Sequence, residues 1–198
     1  MTQSWPRIFL IGGSAEKSSY IRANLELLQE IFRDCSAQPY LWDLSECSLP
    51  LFSPSWRETL QPQEMLLIEE FILQADQADA FVLGSPVYHN SFSGILKNAL
   101  DTLARQHFYH KPVALVSNGY SDRTACVPCE HLRSVVKELS AIAIPTQMIT
   151  LPADFISRES QYVMVNASLR ERFWQLAQEL LYFTRLLRSV GASQTSIY

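Results

Sequence analysis

The sequence predicts an α/β fold built on a doubly wound parallel sheet of five strands in the order 2-1-3-4-5. Three observations lead there. Strand-like and helix-like patterns alternate from one end of the chain to the other, and right-handed crossovers turn such alternation into a parallel sheet with helices on both faces. Five strand candidates occur, which sets the strand order and puts the topological switch between strands one and three. At 198 residues and 47% apolar composition, the chain suits one domain with a substantial core. That domain is expected over residues 1–188, followed by a loosely held tail at 189–198.

Residues 7–11 form the first strand. Residues 19–33 form a helix, with Ile21, Leu25, Leu28 and Phe32 on one face at amphipathic spacing. Residues 40–44 make a short second strand. The stretch 45–61 contains Pro50 and Pro54 and little periodicity, and a loop of that length suggests a functional or interface role. A helix follows over about 62–75, Pro62 being acceptable at a helix start, with Ile68, Phe71, Ile72 and Ala75 inward. Residues 80–83 are the central strand. The next helix aligns Leu96, Leu100 and Leu103, and residues 113–117 are the fourth strand. A helix over about 128–140 aligns Leu132, Val135, Val136 and Leu139, and residues 146–151 are the fifth strand. The last helix, 168–188, carries a long apolar stripe from Leu169 through Phe173, Leu176, Leu180 and Phe183 to Leu187.

Bulk properties exclude several function classes. With net charge −4 and pI near 5.6, the chain lacks the basic surplus that binding along a nucleic-acid duplex requires. No apolar run approaches the ~20 residues of a membrane span, and the first residues carry no signal-like pattern. Four cysteines, Cys35, Cys47, Cys126 and Cys129, are too few and scattered for a disulfide framework. A cytoplasmic protein with no membrane or nucleic-acid partner is expected.

Two loops carry the chemistry. After the first strand comes Gly12-Gly13-Ser14-Ala15-Glu16-Lys17-Ser18-Ser19-Tyr20-Ile21-Arg22. Small residues opening a helix offer free N–H groups, hydroxyls and the positive end of the helix dipole, which together suit a phosphate. The loop is neither a GxGxxG fingerprint nor a Walker A sequence. After the third strand comes a second small and polar loop that includes Pro86, Tyr88, His89 and Ser91, placed where open α/β sheets bind ligands. Pro86 sets φ, Tyr88 and His89 offer aromatic walls, and main-chain N–H groups suit a flat ring with an acceptor-rich edge. Both loops also fit ordinary βα connections with capped helices.

The run Pro86, Val87, Tyr88, His89, Asn90, Ser91, followed by Gly94, Leu96, Lys97, Asn98, Ala99 and Asp101, resembles the flavin-binding signature of the NADPH-dependent FMN reductase family. The family's usual form is Pro-x-Tyr-(Asn or His)-Gly-Ser, then Gly-x-x-Lys-Asn-Ala-x-Asp. Gly13, Ser14, Ser19, Tyr20 and Arg22 likewise resemble its phosphate loop. The resemblance spans residues 7 to about 152. It implies a flavodoxin-like three-layer sandwich that binds FMN, takes NADPH as co-substrate and reduces a second small-molecule acceptor, free flavin, quinone or azo compound. The implied cofactor contacts are Gly13, Ser14, Lys17, Ser19, Tyr20 and Ile21 at the phosphate, and Pro86, Val87, Tyr88, His89, Asn90 and Ser91 along the ring, through N–H donors from Val87 to Ser91. Asn118, Gly119 and Tyr120, after the fourth strand, match the family's third loop near the ring's pyrimidine edge or an adjoining subunit. No side chain is required as acid or base, no metal is implied, and a homodimer or homotetramer is expected.

Four positions depart from the family pattern. Val87 stands where many members have Glu, Asn90 where many have Gly, Glu16 where Arg is usual, and Ile21 where Asn or Thr is usual. Asn tolerates positive φ, so the turn should survive. Glu16 puts a negative charge near the phosphate, so micromolar rather than nanomolar FMN affinity is expected. The alternative function is a flavin-binding electron carrier or an interaction module without NADPH oxidation.

The remaining candidates have plainer readings. Cys126-Val127-Pro128-Cys129 opens a helix, where a dipole can lower a thiol pKa; packing is the favoured role, ahead of a redox pair or, with His131, a metal site. His107 and His110 flank a helix end in a polar loop, where solvation or a favourable helix C-terminal charge is expected. The four tryptophans suit core or interface packing, with Trp56 a candidate wall of an acceptor pocket.

Overall fold

The computed structural model describes residues 4–194. Its main sheet has the order β2-β1-β3-β4-β5, all parallel, as the alternation of elements predicts. The strands are β1 (Arg7–Gly12), β2 (Gln38–Asp43), β3 (Ala80–Pro86), β4 (Pro112–Asn118) and β5 (Ile142–Thr150). The helices are α1 (Tyr20–Asp34), α2 (Trp56–Thr59), α3 (Pro62–Gln77), α4 (Gly94–Asp101), α5 (Arg105–Phe108), α6 (Val127–Glu138) and α7 (Ala167–Gln194). Helix α7 continues past Arg188, where the expected tail begins; residues 195–198 of that tail lie outside the described residues. Among the described residues no helix is long and apolar enough to cross a membrane.

Side chains alternate across the sheet because successive strand residues point to opposite faces. Ile8, Leu10, Val82 and Val116 join the buried faces of α1 and α7 in one core layer. Phe9, Ile11, Phe81, Leu83 and Leu115 join α3, α4 and α6 in the other. Phe81 is wholly buried and stacks on Phe108 with ring centroids 4.2 Å apart, and burying one such side chain contributes about 1.5–3 kcal/mol.

Two features depart from the sequence-based expectation. Strand β5 starts at Ile142 rather than Thr146, because a bulge separates the Ala143 and Gln147 pairings with β4. Pro145, which cannot donate to a ladder, sits inside this bulge on an edge strand, where proline is tolerated. The Arg133 guanidinium satisfies the bulged backbone by donating to the carbonyls of Ile144 (3.1 Å) and Pro145 (3.0 Å). The second feature is an antiparallel hairpin, β6 (Phe155–Arg158) and β7 (Gln161–Met164), in a segment the sequence reading leaves without structure.

The long loop after β2 is latched by α4. Asn98 Oδ1 accepts from the Phe52 N–H at 2.8 Å, and its Nδ2 donates to the carbonyls of Pro50 (2.9 Å) and Leu49 (3.4 Å). Trp56 packs against the α3 and α4 side of the core. His107 is another correction: it is 5% exposed, with Nδ1 accepting the Ala104 N–H at 2.8 Å. Burial holds its pKa below the ordinary histidine value, partly opposed by Asp76.

Candidate functional site

Strands β1 and β3 are neighbours with Gly12 opposite Gly84, so the loops leaving their carboxyl ends emerge side by side. The Gly13 N–H donates to the Gly84 carbonyl at 2.8 Å and pins the loops together at their base. A Cβ on Gly13 would lie 2.7 Å from Leu96 Cβ and 2.8 Å from the Gly84 oxygen, so only glycine permits this approach. Gly13 is thus beneath the site, with its donor already committed.

Above the pin lies a recess of about 90 Å³ lined by Ser14, Glu16, Ser18, Ser19, Tyr20 and Ile21 from the first loop, Pro86, Val87 and Tyr88 from the second, and Asn118, Tyr120 and Tyr162. Nine of the expected contact residues therefore converge on one hollow. Lys17 instead lines an adjoining cleft of about 350 Å³, which shares Ser18, Ser19 and Tyr162 with the recess. His89, Asn90 and Ser91 form a turn beside Tyr88, and Gly119 is packed away from the hollow.

The first loop is built to leave donors free. Ser14 Oγ accepts the Glu16 N–H at 3.1 Å, and Ser19 caps α1 by accepting the Arg22 N–H at 3.1 Å. The backbone N–H groups of Ser14, Ala15, Lys17, Ser18 and Ser19, and of Tyr20 and Ile21 in the first helical turn, have no acceptor among the described residues. Helix starts leave such donors unsatisfied, and with the dipole they form an anion site. The Arg22 guanidinium adds little to it, being taken up by Glu26 (2.8 Å), Asp43 (3.3 Å) and Glu46 (2.5 Å). The bonds to Glu46 and then Glu26 hold Arg22 above its ordinary pKa range, and Arg22 in turn holds Glu46 below its own.

The second loop corrects the expectation of donors from Val87 to Ser91. The Val87 N–H donates to the Asn118 carbonyl at 2.9 Å, and Tyr88 and Ser91 exchange N–H···O bonds of 2.9 and 3.0 Å. Between them His89 (φ 47°) and Asn90 (φ 62°) lie in the left-handed region, the pattern of a type I′ turn. Only the His89 and Asn90 amides of this run are uncommitted among the described residues. Asn90 thus takes the positive φ that glycine would supply. Ser91 Oγ and His131 Nδ1 lie 2.9 Å apart, tying the turn to α6.

The third loop buttresses the site from behind. Asn118 Nδ2 points inward, donating to Thr150 O (3.0 Å) and Oγ1 (3.1 Å), and Asn24 Nδ2 donates to the same Oγ1 at 2.8 Å. A Cβ on Gly119 would lie 2.9 Å from both Val87 Cγ2 and Ala125 Cα, so Val87 packs where glycine makes room. Tyr120 is 86% exposed and stands at the rim. Burial, then the adjoining Tyr162 hydroxyl, push the Tyr20 phenol up to about 12, so it stays protonated.

Three lining residues, Glu16, Ser18 and Tyr162, are not among the sequence candidates. Tyr162 comes from the unforeseen hairpin, and Ser18 had no motif position to single it out. Cys129, by contrast, is buried, and that burial pushes its thiol up to about 12 although Ser117 Oγ lies 3.3 Å away. Such a thiol stays protonated at neutral pH, as suits a packing residue. Among the described residues no group of three or more His, Cys, Asp or Glu could hold a metal ion.

A 2-1-3-4-5 sheet with ligand loops at its switch point and free amides at the first helix defines a flavodoxin-like binding protein. Comparison with known proteins sharpens this. Residues 6–155 match the family described as NADPH-dependent FMN reductase. The chain is 33% identical over 177 residues to an FMN-dependent NADPH-azoreductase of Staphylococcus saprophyticus, covering 89% of this chain and 94% of that protein. It is 35% identical over 159 residues to a Staphylococcus aureus protein of the same name, covering 80% and 84%. The fold also superposes on a flavoenzyme NAD(P)H:(acceptor) oxidoreductase from Paracoccus denitrificans with TM-score 0.70 at 17% identity, covering 93% of this chain and 98% of that one. The chain belongs to the NADPH-dependent FMN reductase family, and its general class is that of flavin-dependent NAD(P)H oxidoreductases.

Proposed function

We propose that this protein is an FMN-dependent NADPH oxidoreductase that reduces a small aromatic acceptor of the quinone or azo kind. One observation carries the reading: the loops after β1 and β3, pinned by Gly13 to Gly84, share a hollow flanked by unpaired amides at the N-terminus of α1. Those donors fit a phosphate, and the free His89 and Asn90 amides beside Tyr88 fit the acceptor-rich edge of a flavin ring. The names of the staphylococcal relatives support the azo acceptor.

Bound FMN would supply the redox chemistry, accepting a hydride from NADPH at N5 and passing two electrons to the second substrate. The chain's own residues bind and orient. Residues 14–19 and the start of α1 hold the phosphate, Lys17 offsets its charge, and Glu16 opposes it. Tyr88 and the exposed Tyr120 flank an open side on which NADPH and acceptor would alternate. No side chain in the hollow is asked to move a proton. A homodimer or homotetramer belongs to this proposal, with the 83% exposed Leu51 and neighbouring Phe52 available on the long loop.

The test is NADPH consumption by the FMN-loaded protein with an azo dye, a quinone and free FMN as separate acceptors. Turnover with the dye or quinone above that with free FMN supports the reading. Loaded protein that consumes no NADPH with any of them would leave an electron carrier or a non-enzymatic module.

A further inference from the structure

One wall of the recess comes from neither loop. Hairpin β6–β7 begins at Phe155, where the family match ends, yet its Tyr162 lines both the recess and the adjoining cleft. Ser18 Oγ donates to the Ser160 carbonyl at 2.5 Å. The Tyr20 ring lies 4.0 Å from that of Tyr162 and 4.9 Å from that of Phe155. The tip is short and defined, because Glu159 (φ 47°) and Ser160 (φ 67°) make a two-residue type I′ turn whose twist matches the strands. The hairpin therefore reaches across the residues that open α1.

The two hollows share Ser18, Ser19 and Tyr162, and the recess alone, at about 90 Å³, is well below the roughly 300–1,000 Å³ of ordinary small-molecule sites. Tyr162 borders both the recess and the roomier cleft.

We propose that the β6–β7 hairpin is a clasp over the phosphate end of the cofactor site, with the Tyr162 ring as the wall that swings aside for the cofactor to enter and leave. The inference rests on the reading of this hollow as an FMN site. The Ser18 bond to the tip keeps Tyr162 beside Ser18 and Ser19, whose free amides open α1, so a closed clasp shields the bonds those amides make to a phosphate from water, which strengthens them. Phe155 and Met164 anchor the base of the hairpin in the core, while its tip is held by one exposed hydrogen bond and the Tyr162 ring contact, so it slows exchange by a modest factor.

The experiment measures FMN release by fluorescence recovery after dilution, for the wild type, Tyr162→Ala, Tyr162→Phe and Ser18→Ala, with melting of each cofactor-free protein alongside. Tyr162→Ala should release FMN about three- to tenfold faster, the size of one lost aromatic contact. Tyr162→Phe, which keeps the ring, should restore the wild-type rate, and Ser18→Ala should fall between. Riboflavin, without the phosphate, should be accelerated less by Tyr162→Ala. Unchanged FMN release in both Tyr162→Ala and Ser18→Ala overturns the clasp even if melting falls, since that is the result of packing alone. Equal acceleration of riboflavin overturns the assignment to the phosphate end. A wild type that takes up no FMN removes the site reading, and the clasp with it.

Discussion

Replacing Gly13 by alanine tests how the two ligand loops are held together. The added methyl would sit 2.7 Å from Leu96 Cβ and 2.8 Å from the Gly84 carbonyl oxygen, and neither atom is the free end of a flexible side chain. Relief requires the β1 loop to lift from β3, which stretches the 2.8 Å bond from Gly13 to Gly84. Overpacking of this kind costs about 1–3 kcal/mol, and in a domain of this size each kcal/mol lowers Tm by roughly 2–4 °C. A fall of about 2–12 °C is expected, together with weaker FMN binding, because the phosphate loop and the ring loop no longer share a fixed base. Gly94→Ala is the matched control. A Cβ there meets nothing within 4 Å at the start of α4, so its Tm and FMN affinity should match the wild type although the signature holds a glycine at both places. Differential scanning calorimetry and FMN fluorescence quenching read the two quantities. Gly13→Ala with wild-type Tm and affinity would refute the reasoning.

Asn98→Ala removes the latch on the loop after β2, whose Oδ1 and Nδ2 serve Phe52, Pro50 and Leu49. A loss of about 1–3 kcal/mol in urea unfolding is expected, with proteolysis moving to residues 49–52. Glu16→Arg should tighten FMN binding roughly tenfold at low salt, less at high salt, if the Glu16 carboxylate opposes the phosphate; titration by fluorescence quenching checks it. His107 has its pKa depressed chiefly by burial, so the fold disfavours its protonated form. Its contribution is therefore whole above the unfolded value of about 6.5 and is lost as pH falls toward the lower folded value. Melting scans should show a decline below about pH 6.5 that His107→Asn flattens.

The sheet order was legible because the apolar runs are short, bounded and regularly interleaved with helices whose inward faces recur at four and three, as Leu25 and Leu28 do in α1. That order alone brings the β1 and β3 loops together, so most of the recess could be read from the chain. What failed was local. Pro145 hides the start of β5, since proline argues against a strand until Arg133 is seen holding the bulge around it. The β6–β7 hairpin has four-residue strands and turns at Glu159 and Ser160, without the Asn-Gly or Asp-Gly pair that announces such a turn, so Tyr162 had no reason to be near α1. His107 looks solvated from its neighbours, but it is Asp76 and Ala104, brought by folding, that give it partners. The commitment of the Tyr88 and Ser91 amides follows from two successive positive φ angles, of which only Asn90 was readable as a candidate, and the Val87 amide is taken by the Asn118 carbonyl at the end of the neighbouring strand.

The central claim is that one FMN sits between the loops after β1 and β3 and accepts electrons there from NADPH. The most direct measurement is the visible absorbance of the purified protein during titration with FMN, followed by NADPH without oxygen. Saturation at one FMN per chain, with a shifted flavin band that bleaches on NADPH addition, is the predicted result. A band that stays that of free FMN throughout the titration, or a bound flavin that NADPH leaves yellow, would contradict it.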